Sequence, residues 1–117
     1  MTLGKIISET DAVKPNSFSA ALKTAWLNEC EGMVQTEILL VDSEEVRTYS
    51  WPDDENTELL AAPPHGKVYR AYLTAMIDFA NGEYNRYQNA MAVFNAHYGE
   101  YMRWYAQTER PADRKES

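Results

Sequence analysis

Basic residues are scarce in this chain. Eleven Lys and Arg stand against eighteen Asp and Glu over 117 residues, a formal charge of −7. A free-standing DNA binder carries a basic patch or a basic pI, so that class is excluded. A single cysteine, Cys30, excludes an internal disulfide framework and fits a reducing compartment. Two histidines leave little for a zinc site. The five glycines (4, 32, 66, 82 and 99) are scattered, so no glycine-rich phosphate loop exists. Long apolar runs are missing too, and the start, Met1-Thr2-Leu3-Gly4-Lys5, lacks the apolar stretch of a secretion signal. A soluble protein with no membrane association is therefore expected. The 44% apolar fraction suffices for one core, and 25% charged residues do not indicate disorder.

The negative charge is local. Residues 42–65 hold seven acids against Arg47, a balance of −6, whereas 1–41 stand at −2 and 66–107 at +1. Such a run is ordinarily a solvated loop. The sharper reading is a surface that repels nucleic acid or meets a basic partner, with Asp53, Asp54, Glu55 and Glu58 as its candidates. Trp51-Pro52 and Pro63-Pro64 oppose a helix here, and 45–51 alternates only well enough for an edge strand or hairpin arm. Connections beyond about 15 residues are uncommon unless functional or disordered. Tyr49, Trp51, Leu59 and Leu60 supply anchors, which favours an ordered, functional loop.

On either side the pattern is helical. Leu3, Ile6, Ile7 and Val13 allow a short, weak helix that must stop before Pro15. Ser17 or Ser19 can cap the next, a helix of about 18–41 with Leu22, Trp26, Cys30, Met33 and Leu40 on one stripe and Leu27, Val34 and Ile38 beside it. Gly32 interrupts that helix at a cost of about 1 kcal/mol relative to alanine, and a bend there is expected.

The clearest signal follows. Tyr84, Tyr87, Met91, Phe94, Tyr98, Tyr101 and Tyr105 recur at alternating spacings of three and four, an apolar heptad stripe. Tyr69, Leu73, Met76 and Ala80 make an earlier stripe in phase with it. The shared phase favours one long, kinked helix over 67–106; Asn81-Gly82 is a helix-ending pair and favours two segments, about 67–81 and 83–106. Seven of the eight tyrosines lie between 66 and 107. Because a tyrosine needs a partner for its hydroxyl, Tyr84, Tyr87, Tyr98, Tyr101, Trp104 and Tyr105 are candidates for an interface with another subunit. The polar tail 108–117 is expected to be loose unless a partner orders it.

Catalytic signatures are sparse. Asp53, Glu55 and Thr57 begin like an EF-hand loop, but no glycine follows. Cys30 and His97 belong to no local signature, and a thiol on a helix face is more commonly buried and inert. His65 and His97 read as structural or solvated. No enzyme, metal or cofactor is expected.

Lys14-Pro15-Asn16-Ser17, then Trp26-Leu27-Asn28-Glu29 with Gly32, resembles the start of a family of small phage and prophage proteins. The likeness continues through Asp54–Leu60, Pro63-Pro64 and Tyr69. It is strongest at Ile77-Asp78-Phe79-Ala80-Asn81-Gly82-Glu83-Tyr84 and on through Tyr87, Asn89, Met91, Phe94, Asn95 and Tyr98. Tyr49-Ser50-Trp51-Pro52 departs from it, standing ahead of the short acidic stretch. The family looks like the head–tail connector (adaptor, neck) proteins of tailed phages. The resemblance implies an all-α subunit of one domain, a small helical bundle repeated in a homo-oligomeric ring, twelve being the expected number, in the neck of the virion. It further implies a portal protein on one side, a tail or second neck protein on the other, and DNA passing through without specific binding. Residues 104–117 would engage the portal, and the acidic loop would face the DNA channel or a partner. The rival expectation is a small helical regulatory or antitoxin-like protein-binding module.

Overall fold

The computed structural model describes residues 1–108. The expectation of a loose tail falls on 109–117, outside the described residues, while Thr108 still belongs to the last helix. The chain is all-α: α1 (Leu3–Val13), α2 (Ala20–Met33), α3 (Lys67–Ala80) and α4 (Tyr84–Thr108). No described helix is long and apolar enough to cross a membrane.

α1 begins at Thr2, whose hydroxyl accepts from the Lys5 N–H at 3.2 Å. Leu3, Ile6, Ile7 and Thr10 then fall on one buried face, the spacing that makes one side of a helix apolar. The Thr10 hydroxyl is satisfied by the Ile6 carbonyl at 2.8 Å. Past Val13, the Lys14–Ser17 segment is a polar joint. Asn16 donates to Asp11 and accepts from Phe18 N–H, and the buried Lys23 ammonium sits 2.8 Å from the same Asp11. Lys14 pairs with buried Asp78 near the end of α3. Asp11, Lys14, Asn16, Lys23 and Asp78 thus form one structural joint.

Of the two serines proposed as caps, Ser19 serves: its side chain accepts from Leu22 N–H at 3.0 Å. The α-helical part of the expected helix of about 18–41 is shorter, ending one residue past Gly32. α2 runs through Gly32 to Met33 and widens into a π-helical turn over Val34–Ile38. Side chains there bond back to the backbone, Gln35 to the Glu31 carbonyl and Thr36 to the Gly32 carbonyl, and such back-bonding loosens the regular ladder. The segment ends with Leu40 in the left-handed region, φ 60°, while Val41 N–H reaches the Gln35 carbonyl at 2.8 Å.

The Asn81-Gly82 junction is a turn. Gly82 adopts φ 75°, and Glu83 N–H bonds the Asp78 carbonyl at 2.9 Å, the left-handed stop that closes many helices. One long kinked helix is therefore excluded; the in-phase stripes belong to the two arms of an antiparallel hairpin. Phe79 meets Tyr87 at its closed end (5.1 Å), Tyr72 meets Phe94 midway (5.2 Å), and Lys67 reaches Glu100 toward the open end (3.5 Å). α1, α2 and α3 supply most of the core, including Leu3, Ile6, Leu27, Cys30, Val68 and Leu73. α4 contributes only Phe94 and Tyr101 as fully buried side chains.

The two left-handed positions make opposite predictions. A β-carbon there is disfavoured by about 1–2 kcal/mol, so Gly82→Ala should lower stability by about 1 kcal/mol. Leu40→Gly should raise it by about 0.5–1 kcal/mol once glycine's greater unfolded-state freedom is offset. Leu40 is 75% exposed, so little packing is lost. Urea unfolding of both variants at neutral pH checks the pair.

Candidate functional site

The acidic loop is held against α2 by a polar stripe of that helix and its continuation. Asn28 and Gln35 are two turns apart and share a face. Each side-chain amide clamps one loop residue at both backbone groups. Asn28 accepts from Tyr49 N–H (2.8 Å) and donates to its carbonyl (3.0 Å); Gln35 does the same for Arg47 (2.9 and 2.9 Å). The two amides thus take the place of a neighbouring strand. In the segment 45–51, expected as an edge strand or hairpin arm, Glu45 ends a short 3-10 turn, Trp51 begins another turn, and Arg47 and Tyr49 between them pair to side chains; no strand forms there.

Between the clamps lies Glu31, fully buried. One carboxylate oxygen accepts from the Tyr49 hydroxyl (2.6 Å) and Leu60 N–H (2.9 Å), the other from the Tyr69 hydroxyl (2.5 Å). Tyr69 also accepts from Ala61 N–H at 2.8 Å. A buried carboxylate is tolerable only when its lone pairs are satisfied, and here both ends of the loop satisfy them. Burial, with the Glu31 charge alongside, pushes the Tyr69 phenol far above its ordinary range. Tyr49 is raised by burial and by its bond to Glu31.

The loop's far edge is fastened to the start of α1. Leu3 N–H bonds the Thr57 carbonyl, Gly4 N–H the Glu55 carbonyl at 2.8 Å, and Leu59 N–H the Met1 carbonyl. A β-carbon at position 4 would stand 3.1 Å from the Glu55 carbonyl oxygen, so glycine permits this approach. Of the expected anchors, Leu59 is buried and Tyr49 and Trp51 are half-buried, whereas the Leu60 side chain is exposed and anchors through its N–H.

The candidate acids divide. Asp53 and Glu55 are exposed, and Glu58 is exposed beside the Met1 amino group at 3.2 Å. Asp54 is half-buried and closes the turn by accepting from Ser50 N–H at 2.8 Å, a structural task. A cavity of about 500 Å³ opens between the loop and the end of the helical segment, bordered by Gln35, Arg47, Tyr49 and Glu58. Among the described residues no three His, Cys, Asp or Glu side chains are grouped to hold a metal.

The tyrosine stripe turns largely inward, and glutamates of the α2 side meet its hydroxyls. Tyr98 donates to Glu37 at 2.7 Å and Tyr72 to Glu29 at 2.8 Å; burial first, and then these bonds, raise both phenols. Tyr101 is buried in the chain's own core and its phenol is pushed up to about 12 by burial first. It therefore offers no free surface to a partner. Tyr87, Tyr98 and Tyr105 are half-buried, and Tyr84 and Trp104 are exposed. Composition could not show this, because the partners Glu29, Glu31 and Glu37 lie 38 to 61 positions away; three acids on one helical segment were the available signal.

Cys30 is buried in the core, where burial and then the Glu31 charge push its thiol up. His97 is half-buried in a separate groove between α3 and α4. The two do not form a nucleophile–base pair. His65 is not solvated: it is buried, its ring tilted by 40° against Trp104 (4.8 Å) and by 41° against Tyr101 (5.1 Å).

Comparison with protein-family models, with curated proteins and with solved structures returned no match for this chain.

Proposed function

We propose that the chain is a structural subunit of a tailed-phage head–tail connector, assembled as a homo-oligomeric ring between portal and tail. The observation that carries this reading is the acidic loop held rigidly on one face by the Asn28, Glu31 and Gln35 contacts. A fixed, exposed row of carboxylates repels a phosphate backbone and lets DNA slide without sticking. The ordered resemblance over 14–105 supports the same reading, and so does α4, whose 25 residues include only Arg86, Glu100 and Arg103 as charged groups. Charge depletion on an exposed helix is a mark of surfaces that meet protein. The subunit works by shape and charge, and no catalytic step is assigned to it.

Particles carrying Asp53→Asn with Glu55→Gln test the reading, since neither side chain is needed to close the loop. Rings should form as before and genome ejection should slow. Unchanged ejection removes the channel role, and lost assembly places the loop against a partner instead. The second reading, a regulatory or antitoxin-like binding module, draws on Tyr84 and Trp104, 59% and 40% exposed on α4. A monomer or dimer by native mass spectrometry that never enters particles favours it over the ring.

A further inference from the structure

Two apolar side chains are strongly exposed: Val13, 78% exposed at the end of α1, and Leu40, 75% exposed past the π-helical turn. Leu40 holds the left-handed backbone described above, which a glycine would adopt without strain. Neither the exposure nor the strain helps a lone subunit fold. Strain retained at a particular residue motivates a search for its use. Asp42, Glu44 and Glu45 follow it, all exposed, so Leu40 is an apolar knob bordered by carboxylates.

A complementary hollow lies elsewhere on the subunit. Val13, Ala71, Ala90 and Val93 line a groove of about 260 Å³ between the end of α1 and the α3–α4 hairpin. Lys67, Arg70 and His97 complete its walls with Thr74, and no acid lines it. Arg70 and Lys67 touch Glu9 and Glu100 from outside the groove, at 2.7 and 3.5 Å, in partly exposed pairs. Such pairs are weak and exchangeable, so both cations can meet further carboxylates.

The knob and the groove cannot meet within one subunit. Lys67, Arg70, Ala71 and Thr74 share one face of α3, while Tyr69 and Tyr72 lie on the opposite face and reach Glu31 and Glu29 of α2. The groove is therefore across α3 from α2, and Leu40 projects from the continuation of α2. Two complementary patches on different sides of one molecule make a head-to-tail contact, the kind that closes into a ring or extends as a filament. An arrangement that set acidic loop against acidic loop would be repulsive between copies that each carry −7.

We propose that Leu40 of one copy seats in the α1–α3–α4 groove of the next copy, against Val13 and Val93, with Asp42, Glu44 and Glu45 facing Lys67, Arg70 and His97. This rests on the ring-subunit reading and assigns the two halves of its subunit contact.

Paired cysteines in the full chain test the contact directly. The native Cys30 is fully buried and does not interfere. Oxidised Leu40→Cys/Val93→Cys protein should give a ladder of cross-linked multimers, and neither single variant should. Dimers from Val93→Cys alone would mean a two-fold contact and overturn the proposal. Leu40→Gly should melt at or above the wild type yet associate at least about tenfold more weakly, as befits loss of a central apolar anchor. Charge reversal adds a rescue. Glu44→Lys/Glu45→Lys and Lys67→Glu/Arg70→Glu should each fail to assemble alone, and an equimolar mixture should form rings of strictly alternating, even-numbered copies. If wild type and Leu40→Gly assemble equally well by native mass spectrometry, this contact is wrong and the ring reading stands. A wild type that stays monomeric at every concentration overturns both.

Discussion

Glu31→Ala is expected to lower the free energy of unfolding by about 3–5 kcal/mol, the range for removing one member of a buried charged network. Three donors lose their acceptor at once: the Tyr49 and Tyr69 hydroxyls and Leu60 N–H. The Tyr69 side chain is fully buried, so water does not replace the carboxylate there. An unsatisfied buried donor costs about 1–3 kcal/mol. Relief of the carboxylate's own desolvation offsets part of this, which keeps the estimate below the sum of its parts. Glu31→Gln retains the volume and one acceptor oxygen, and its loss should be smaller, about 1–3 kcal/mol. The location of the damage is specific. Amide hydrogen exchange should rise first between 47 and 61, because Glu31 ties both ends of that loop, while α1 and the α3–α4 turn keep their protection. A loss below about 1 kcal/mol for the alanine variant would show that the amide clamps and the backbone bonds to the start of α1 hold the loop without Glu31.

Alkaline unfolding should be the second large effect. Tyr49, Tyr69, Tyr72, Tyr98 and Tyr101 all have folded-state phenol values above the ordinary one, with burial as the first cause in each. In the unfolded chain a tyrosine releases its proton near pH 10, so above that pH the unfolded state binds fewer protons than the folded state. Stability contributed by these groups is fully present below about pH 10 and falls as pH rises beyond it. Tyr101, pushed up to about 12, marks a point inside that window; the other four lie higher. Tyrosinate absorbance should therefore lag its ordinary midpoint, then rise together with loss of the helical circular dichroism signal. Glu37→Gln removes the charge facing Tyr98 at an exposed site and should bring that one phenol closer to its ordinary value. Titration of these five tyrosines near pH 10 in protein that is still helical would count against the network.

Much of the helical layout is legible in local chemistry. Val13 before Pro15, Ser19 before Ala20 and Asn81-Gly82 mark helix ends by backbone preferences that act within a few residues. Spacing also finds the inward stripes of α3 and α4, because a helix shows its buried face as a period. The departures come from partners distant in the chain. The widening at Val34–Ile38 depends on Gln35 and Thr36 bonding back to the helix, and Gln35 also serves Arg47. The loop's order depends on Asn28 and Gln35 acting as backbone substitutes, which no local pattern announces.

By itself, the order of residues determined that the chain is helical, that its first helix stops before Pro15, and that its acidity sits between two helical halves. Those properties follow from steric limits on each peptide and from periodicity, which need no long-range contact. Only the tertiary structure decided that the tyrosines find their partners in glutamates of the same subunit, that Tyr101 is core and Trp104 is surface, and that the charged loop is fastened down. The reason is distance along the chain. A hydroxyl's need for an acceptor can be read at its own position, but the acceptor is chosen by how α2, α3 and α4 pack.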